Sequence, residues 1–196
     1  MSKKKLPIQK RSIELRNLQS SGNSDDMKVG GVAVVFEKPT TICEIDGIEY
    51  KEVIDRKAFD NSDFSLCCLK YNHAESVPLL ARTRNKSLDI NIDNDGLAFE
   101  AKLANTSIAR DIYTLIQENL LTQCSFAFTV KSYDYDKITH TRRILEIDKV
   151  FDISIVDIPA YEDTEVEARS FFKLENEKET PEGDILKRKR LLLMLG

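Results

Sequence analysis

No two cysteines in this chain stand at C-x-x-C spacing, and the only two histidines, His73 and His140, lie far from any cysteine pair. The spacing of the four cysteines, Cys43, Cys67, Cys68 and Cys124, therefore argues against a zinc site of the usual Cys/His kind. A basic excess is also missing. Lys plus Arg number 29 against 33 Asp plus Glu, a net charge of −4, and this balance argues against a nucleic-acid partner. Met1 is followed by Ser2, Lys3, Lys4 and Lys5, but no apolar run comes after this basic start, so it lacks the form of a secretory signal. No segment has the length of apolar sequence that a bilayer span requires. These absences lead us to expect a soluble protein made in a reducing cytoplasm, with free thiols and no membrane partner.

What is present suits one domain: 196 residues, 41% of them hydrophobic, can bury a single respectable core. Residues 1–27 include the polar cluster "NLQSSGNSDDM" and read as a flexible lead-in with one short strand, "SIELR". Residues 28–169 carry the strand patterns. "VGGVAVVFEK" is a β-branched run, and "CEIDGIEYKEVI" sets Asp46-Gly47 between two alternating segments, a hairpin signal. In "SLDINIDNDGLAFEAKL", Leu88, Ile90 and Ile92 alternate before the Asn94-Asp95-Gly96 turn, and Leu97, Phe99 and Ala101 continue the alternation after it. One helix interrupts: "TSIARDIYTLIQEN" places Ile108, Ile112, Leu115 and Ile116 on one face, with Thr106 or Ser107 as cap and Asn119 as a left-handed stop. "CSFAFTVKSYDYD" and "TRRILEIDKVFDISIVD" are expected to pair antiparallel across the "DKITH" turn and to end at Pro159. Residues 170–196 form a charged tail or appended helix. The expected fold class is mainly β with helices (α+β), a small antiparallel β-barrel with peripheral helices.

The stretch "LLTQCSFAFTVKSY" puts Ser125 in a strand that reads as buried, where another aliphatic residue would pack better. A hydroxyl in a strand is usually an exposed-face residue or a core residue bonded to a nearby carbonyl, so Ser125 needs partners before it points to chemistry. Only His73 and His140 can act as bases near neutral pH without a large pKa shift. His140 sits in a polar turn and reads as a solvated loop residue. His73 ends the apolar segment "SLCCLKYN", where an imidazole can face a cleft. In "VFDISIVDIPAY", alternation sends Phe151, Ile153 and Ile155 to one side and Asp152, Ser154 and Val156 to the other. A carboxylate in such a strand needs a partner. That partner is either an imidazole gaining charge during turnover or a basic residue at the rim, and the residues alone leave both open. Cys124 is a third candidate nucleophile, but if Ser125 faces a cleft then Cys124 faces the opposite side.

Six blocks carry a resemblance: "GGVAVVFEK", "EYKEVIDRKAF", "LKYNHAESVPLLART", "DGLAFEAKL", "CSFAFTV" and "VFDISIVDIPAY". In this order they resemble the motifs of the prohead (capsid maturation) serine proteases of tailed bacteriophages, relatives of the herpesvirus assemblins. The resemblance implies an assemblin-like fold and a serine endopeptidase without metal or organic cofactor, in which His73 is the base, Ser125 the nucleophile and Asp152 the third member. It further implies that the enzyme works inside the procapsid, after synthesis in the host cytoplasm, and removes the scaffold or the scaffolding segment of the major capsid protein. Self-cleavage, self-association and contact with the portal go with that setting. By analogy with the assemblins, Arg142 and Arg143 are candidates near an oxyanion hole, with exposed strand charges as the plainer reading. Ala127 and Asn119 stand where the family commonly has glycine. The alternative function is a non-catalytic β-barrel that serves capsid assembly as scaffold or chaperone.

Overall fold

The structure is a computed structural model and describes residues 7–14, 19–21, 26–157 and 161–177. In chain order the elements are β1 (Ile8–Glu14), β2 (Gln19–Ser21), β3 (Lys28–Val35), β4 (Thr40–Ile45), β5 (Ile48–Ile54), β6 (Cys68–Tyr71), β7 (Ala81–Arg82), β8 (Leu88–Ile92), β9 (Gly96–Lys102), α1 (Ser107–Gln117), β10 (Gln123–Asp136), β11 (Thr141–Val156) and α2 (Tyr161–Glu177). The molecule is α+β and mainly strand.

Local chemistry sets the turns. Asp46 and Gly47 both take positive φ, 52° and 78°, as a two-residue hairpin of this hand requires. Between β8 and β9 the Asp93 carboxylate accepts from the backbone N–H groups of Asp95 (2.8 Å) and Gly96 (3.0 Å). Gly96 is obligatory, because a Cβ there would lie 1.9 Å from the Val34 carbonyl oxygen. Helix α1 is capped by Thr106, whose hydroxyl accepts from the Ala109 N–H at 3.2 Å. Asn119 ends it at φ 56°, so asparagine supplies the left-handed residue that glycine supplies elsewhere. The helix buries Ala109, Ile112, Tyr113 and Ile116, with Ile108 and Leu115 half-buried beside them. Its inward face is thus rotated slightly from the expected isoleucine-leucine stripe and includes Ala109 and Tyr113.

Two sheets result. Seven strands form one, in the order β1-β10-β11-β5-β4, with β6 on β11 and β7 on β6; β2-β3-β9-β8 form the other. Strand β11 is the seam. One edge pairs antiparallel with β10 along nearly its whole length. The other pairs parallel with β5 at Thr141–Ile144 and parallel with β6 at Asp152–Ile155. No ring of strands closes among the described pairings, and the two parallel pairings depart from the all-antiparallel barrel expected from sequence. Alternation fixes which face of a strand is apolar but not which distant strand it meets, so this departure has a simple cause.

The core draws on both sheets and α1. Phe126 and Phe128 stack with centroids 4.5 Å apart, and Ile153, Ile155 and Leu69 lie in the same cluster. A smaller cluster joins Cys43 and Tyr50 to Ala168 and Phe172 of α2. The expected lead-in contains β1, which forms the edge of the larger sheet, and α2 runs past the expected domain end at Arg169 to Glu177. Apolar Phe171 and Phe172, in a segment whose composition is otherwise that of a solvated tail, account for the docking of α2. Pro159 and residues 178–196 lie outside the described residues.

Candidate active site

Strand β10 sorts its residues by parity. Cys124, Phe126 and Phe128 enter the core, and Ser125 and Ala127 occupy the other face. Cys124 is fully buried among apolar groups, which pushes its thiol well above the ordinary range. Burial thus works against the thiolate that a nucleophilic cysteine needs. Ser125 pairs with Ser154 across β11 and Ala127 with Asp152, so Ser125, Ser154 and Asp152 share one face.

The imidazole arrives from β6. This strand runs parallel to the end of β11, with Cys68 opposite Asp152 and Tyr71 opposite Ile155. The chain then reverses sharply: Asn72 and His73 both take left-handed φ, 51° and 54°. Each such residue costs about 1–2 kcal/mol, least for asparagine. Three bonds hold the reversal: Asn72 N–H donates to the Ile155 carbonyl (2.9 Å), Ala74 N–H to the Tyr71 carbonyl (3.0 Å), and Asp157 N–H to the Asn72 side-chain oxygen (3.2 Å). The Tyr71 hydroxyl adds a bond to the Asp157 carboxylate at 3.0 Å.

This turn lays the His73 ring back over β11 and β10. Nδ1 is 2.6 Å from Asp152 Oδ1 and Nε2 is 2.7 Å from Ser125 Oγ. Ser125 is fully buried, Asp152 nearly so, and the His73 side chain is 6% exposed. A carboxylate can only accept at Nδ1, so it selects the Nδ1–H tautomer and leaves the Nε2 lone pair facing the serine hydroxyl. The structure brings together Ser125, His73 and Asp152, the three residues singled out from sequence.

Two neighbours were missed. The Ser154 hydroxyl donates to Asp152 Oδ1 at 2.7 Å, and Lys70 Nζ lies 4.0 Å from Asp152 Oδ2. The signal for Ser154 was its place two residues after Asp152 on the same strand face; for Lys70 it required the β6–β11 register, which the sequence does not display.

Arg142, Arg143 and His140 sit at the opposite end of the β10–β11 pair, roughly 30–40 Å along the strand at extended spacing. Arg142 is buried, bonds Glu52 (3.1 Å) and Gln9 (2.9 Å), and lies between the rings of Tyr133 and Phe171 at 4.5 and 4.2 Å. Arg143 bonds Asp55 (2.9 Å) and Glu37 (2.6 Å). Neither arginine lies near Ser125, which corrects the oxyanion analogy. His140, at φ 50°, packs its ring 4.9 Å from that of Tyr50, so it is a half-buried turn residue held against an aromatic ring rather than a solvated one.

A hydroxyl, an imidazole and a carboxylate linked in this sequence form the kind of relay found in serine peptidases. The family model of caudovirus prohead serine proteases matches residues 11–179, and the chain belongs to that family, the one its six motifs resemble. Membership makes it a serine peptidase of phage capsid maturation at the level of the family. Among solved structures, the bacteriophage T4 capsid assembly protease, gp21, is similar with 12% identity and a TM-score of 0.40, over 77% of this chain and 96% of that one. No curated protein matches the chain significantly.

Proposed function

We propose that this chain is an active endopeptidase in which Ser125 is the nucleophile, His73 the general base and Asp152 the carboxylate that orients and balances the imidazole. The observation that supports the reading best is the unbroken pair of short contacts, 2.7 Å from Ser125 Oγ to His73 Nε2 and 2.6 Å from His73 Nδ1 to Asp152. The Ser125 proton passes to Nε2 as Oγ attacks the scissile carbonyl, and Asp152 stabilises the imidazolium. The same proton then goes to the leaving amine. Water deprotonated by His73 hydrolyses the acyl-enzyme and restores Ser125.

The substrates of this reading are the scaffold, or the scaffolding segment of the major capsid protein, and the protease itself, inside the procapsid; the portal is a further partner. Co-expression with its major capsid protein, with and without Ser125→Ala, tests it by mass spectrometry. Smaller capsid-protein products are expected with the wild-type chain only. Identical capsid protein in both would favour the non-catalytic scaffold or chaperone and defeat the proposal.

A further inference from the structure

We infer that Ser154 is a positioning residue for this reaction, its hydroxyl tying the Asp152 carboxylate and the His73 main chain into one arrangement that aims the imidazole at Ser125. The inference rests on the triad roles proposed above. Ser154 is fully buried and stands directly opposite Ser125 in the β10–β11 register. Its hydroxyl has a single proton, which goes to Asp152 Oδ1 at 2.7 Å. A lone pair of the same oxygen accepts the His73 backbone N–H at 3.2 Å. The directions are fixed, because a main-chain N–H can only donate and a carboxylate can only accept. The oxygen also lies 3.2 Å from His73 Nδ1, beside the Nδ1–H···Oδ1 bond.

One buried hydroxyl thus touches two of the three relay members, where a serine that only packs would bond a neighbouring strand carbonyl. The second contact falls where it matters, since His73 is left-handed and non-glycine, a conformation that persists only when its surroundings hold it. On the carboxylate, Oδ1 receives both Ser154 and the imidazole, and Oδ2 faces Lys70. Without the hydroxyl the carboxylate loses a donor that helps set its plane, and the part-buried His73 N–H loses its acceptor.

The test compares Ser154→Ala, Ser154→Cys and Ser154→Thr with wild type in cleavage of the major capsid protein and in the NMR signal of the His73 Nδ1–H, assigned with the help of His140→Gln. Ser154→Ala and Ser154→Cys are expected to lower kcat about 10-fold to 100-fold with KM changed less than about twofold. They should also broaden or remove the downfield Nδ1–H resonance, and Ser154→Thr should restore both readouts. Cysteine keeps the volume but is a poor donor, so it serves if the alanine protein does not fold. An unchanged resonance in a folded Ser154→Ala or Ser154→Cys protein overturns the inference, even if activity drops, because that pattern marks a serine that only packs. Failure of the triad reading is separate: wild type would then leave the capsid protein intact, while the resonance would still report on Ser154.

Discussion

At the scale of single residues, the relay makes sharp demands. Ser125→Ala and His73→Ala are each expected to abolish capsid-protein cleavage with the melting temperature preserved. Asp152→Asn should reduce kcat by about 10⁴-fold with KM little altered, the signature of a lost tautomer and lost charge balance. Cys124→Ala should remain active, since that thiol faces the core; a dead Cys124→Ala protein beside an active Ser125→Ala protein would reverse the nucleophile assignment. Their neighbours made each of these residues a candidate, Ser125 by its apolar strand, Asp152 by the cost of a buried carboxylate and His73 by its place after an apolar run, but only the resemblance of the six motifs gave them roles. Ser154 was visible as a face-mate of Asp152 but looked like any strand hydroxyl. Its meaning depends on the His73 backbone, and left-handed geometry at a histidine leaves no trace in sequence beyond the preceding asparagine.

Among elements, the contact of β1 with β5 and β11 is the most exposed to mutation. Glu52 is buried and bonds Arg11 at 2.7 and 3.0 Å and Arg142 at 3.1 Å. Burial alone would raise its carboxyl, but the two guanidinium groups outweigh burial and hold it below the ordinary 4.5. The ionised form is therefore favoured by folding, and its stabilisation is complete above the ordinary value and fades as pH falls through the lowered one. Glu52→Gln should cost about 3 kcal/mol at pH 7 by leaving two buried arginines without a counter-charge. The gap from wild type should close in acid, as the wild-type carboxyl is protonated. Thermal melts of both proteins from pH 7 downward measure it, and a gap independent of pH would show that Glu52 does not carry this charge. Hairpins and α1 were readable because Asp-Gly turns, Thr106 and Asn119 act within a few residues. The β5–β11 and β6–β11 pairings join segments about ninety residues apart, and no local signal names such partners.

On the whole-molecule scale, the proposed self-cleavage predicts that wild-type protein loses part of its C-terminal segment on storage, at a site between about Phe172 and Arg190, while Ser125→Ala protein stays full length. Intact-mass measurement of the two purified in parallel decides it, and equal trimming would implicate a foreign protease. Most of that interval lies beyond Glu177, outside the described residues. The order of synthesis gives β11 a further consequence. Among the described residues it is the last strand made, and β10, β5 and β6 all converge on it. A growing chain that has not reached Val156 has strands without their common partner and a histidine without its carboxylate. Such non-local closure is slow, so the site is expected to assemble only once β11 is present. A chain ending at His140 should show neither protected amides in β5 and β6 nor any hydrolytic activity, so a nascent chain is expected to stay inactive until β11 has been made.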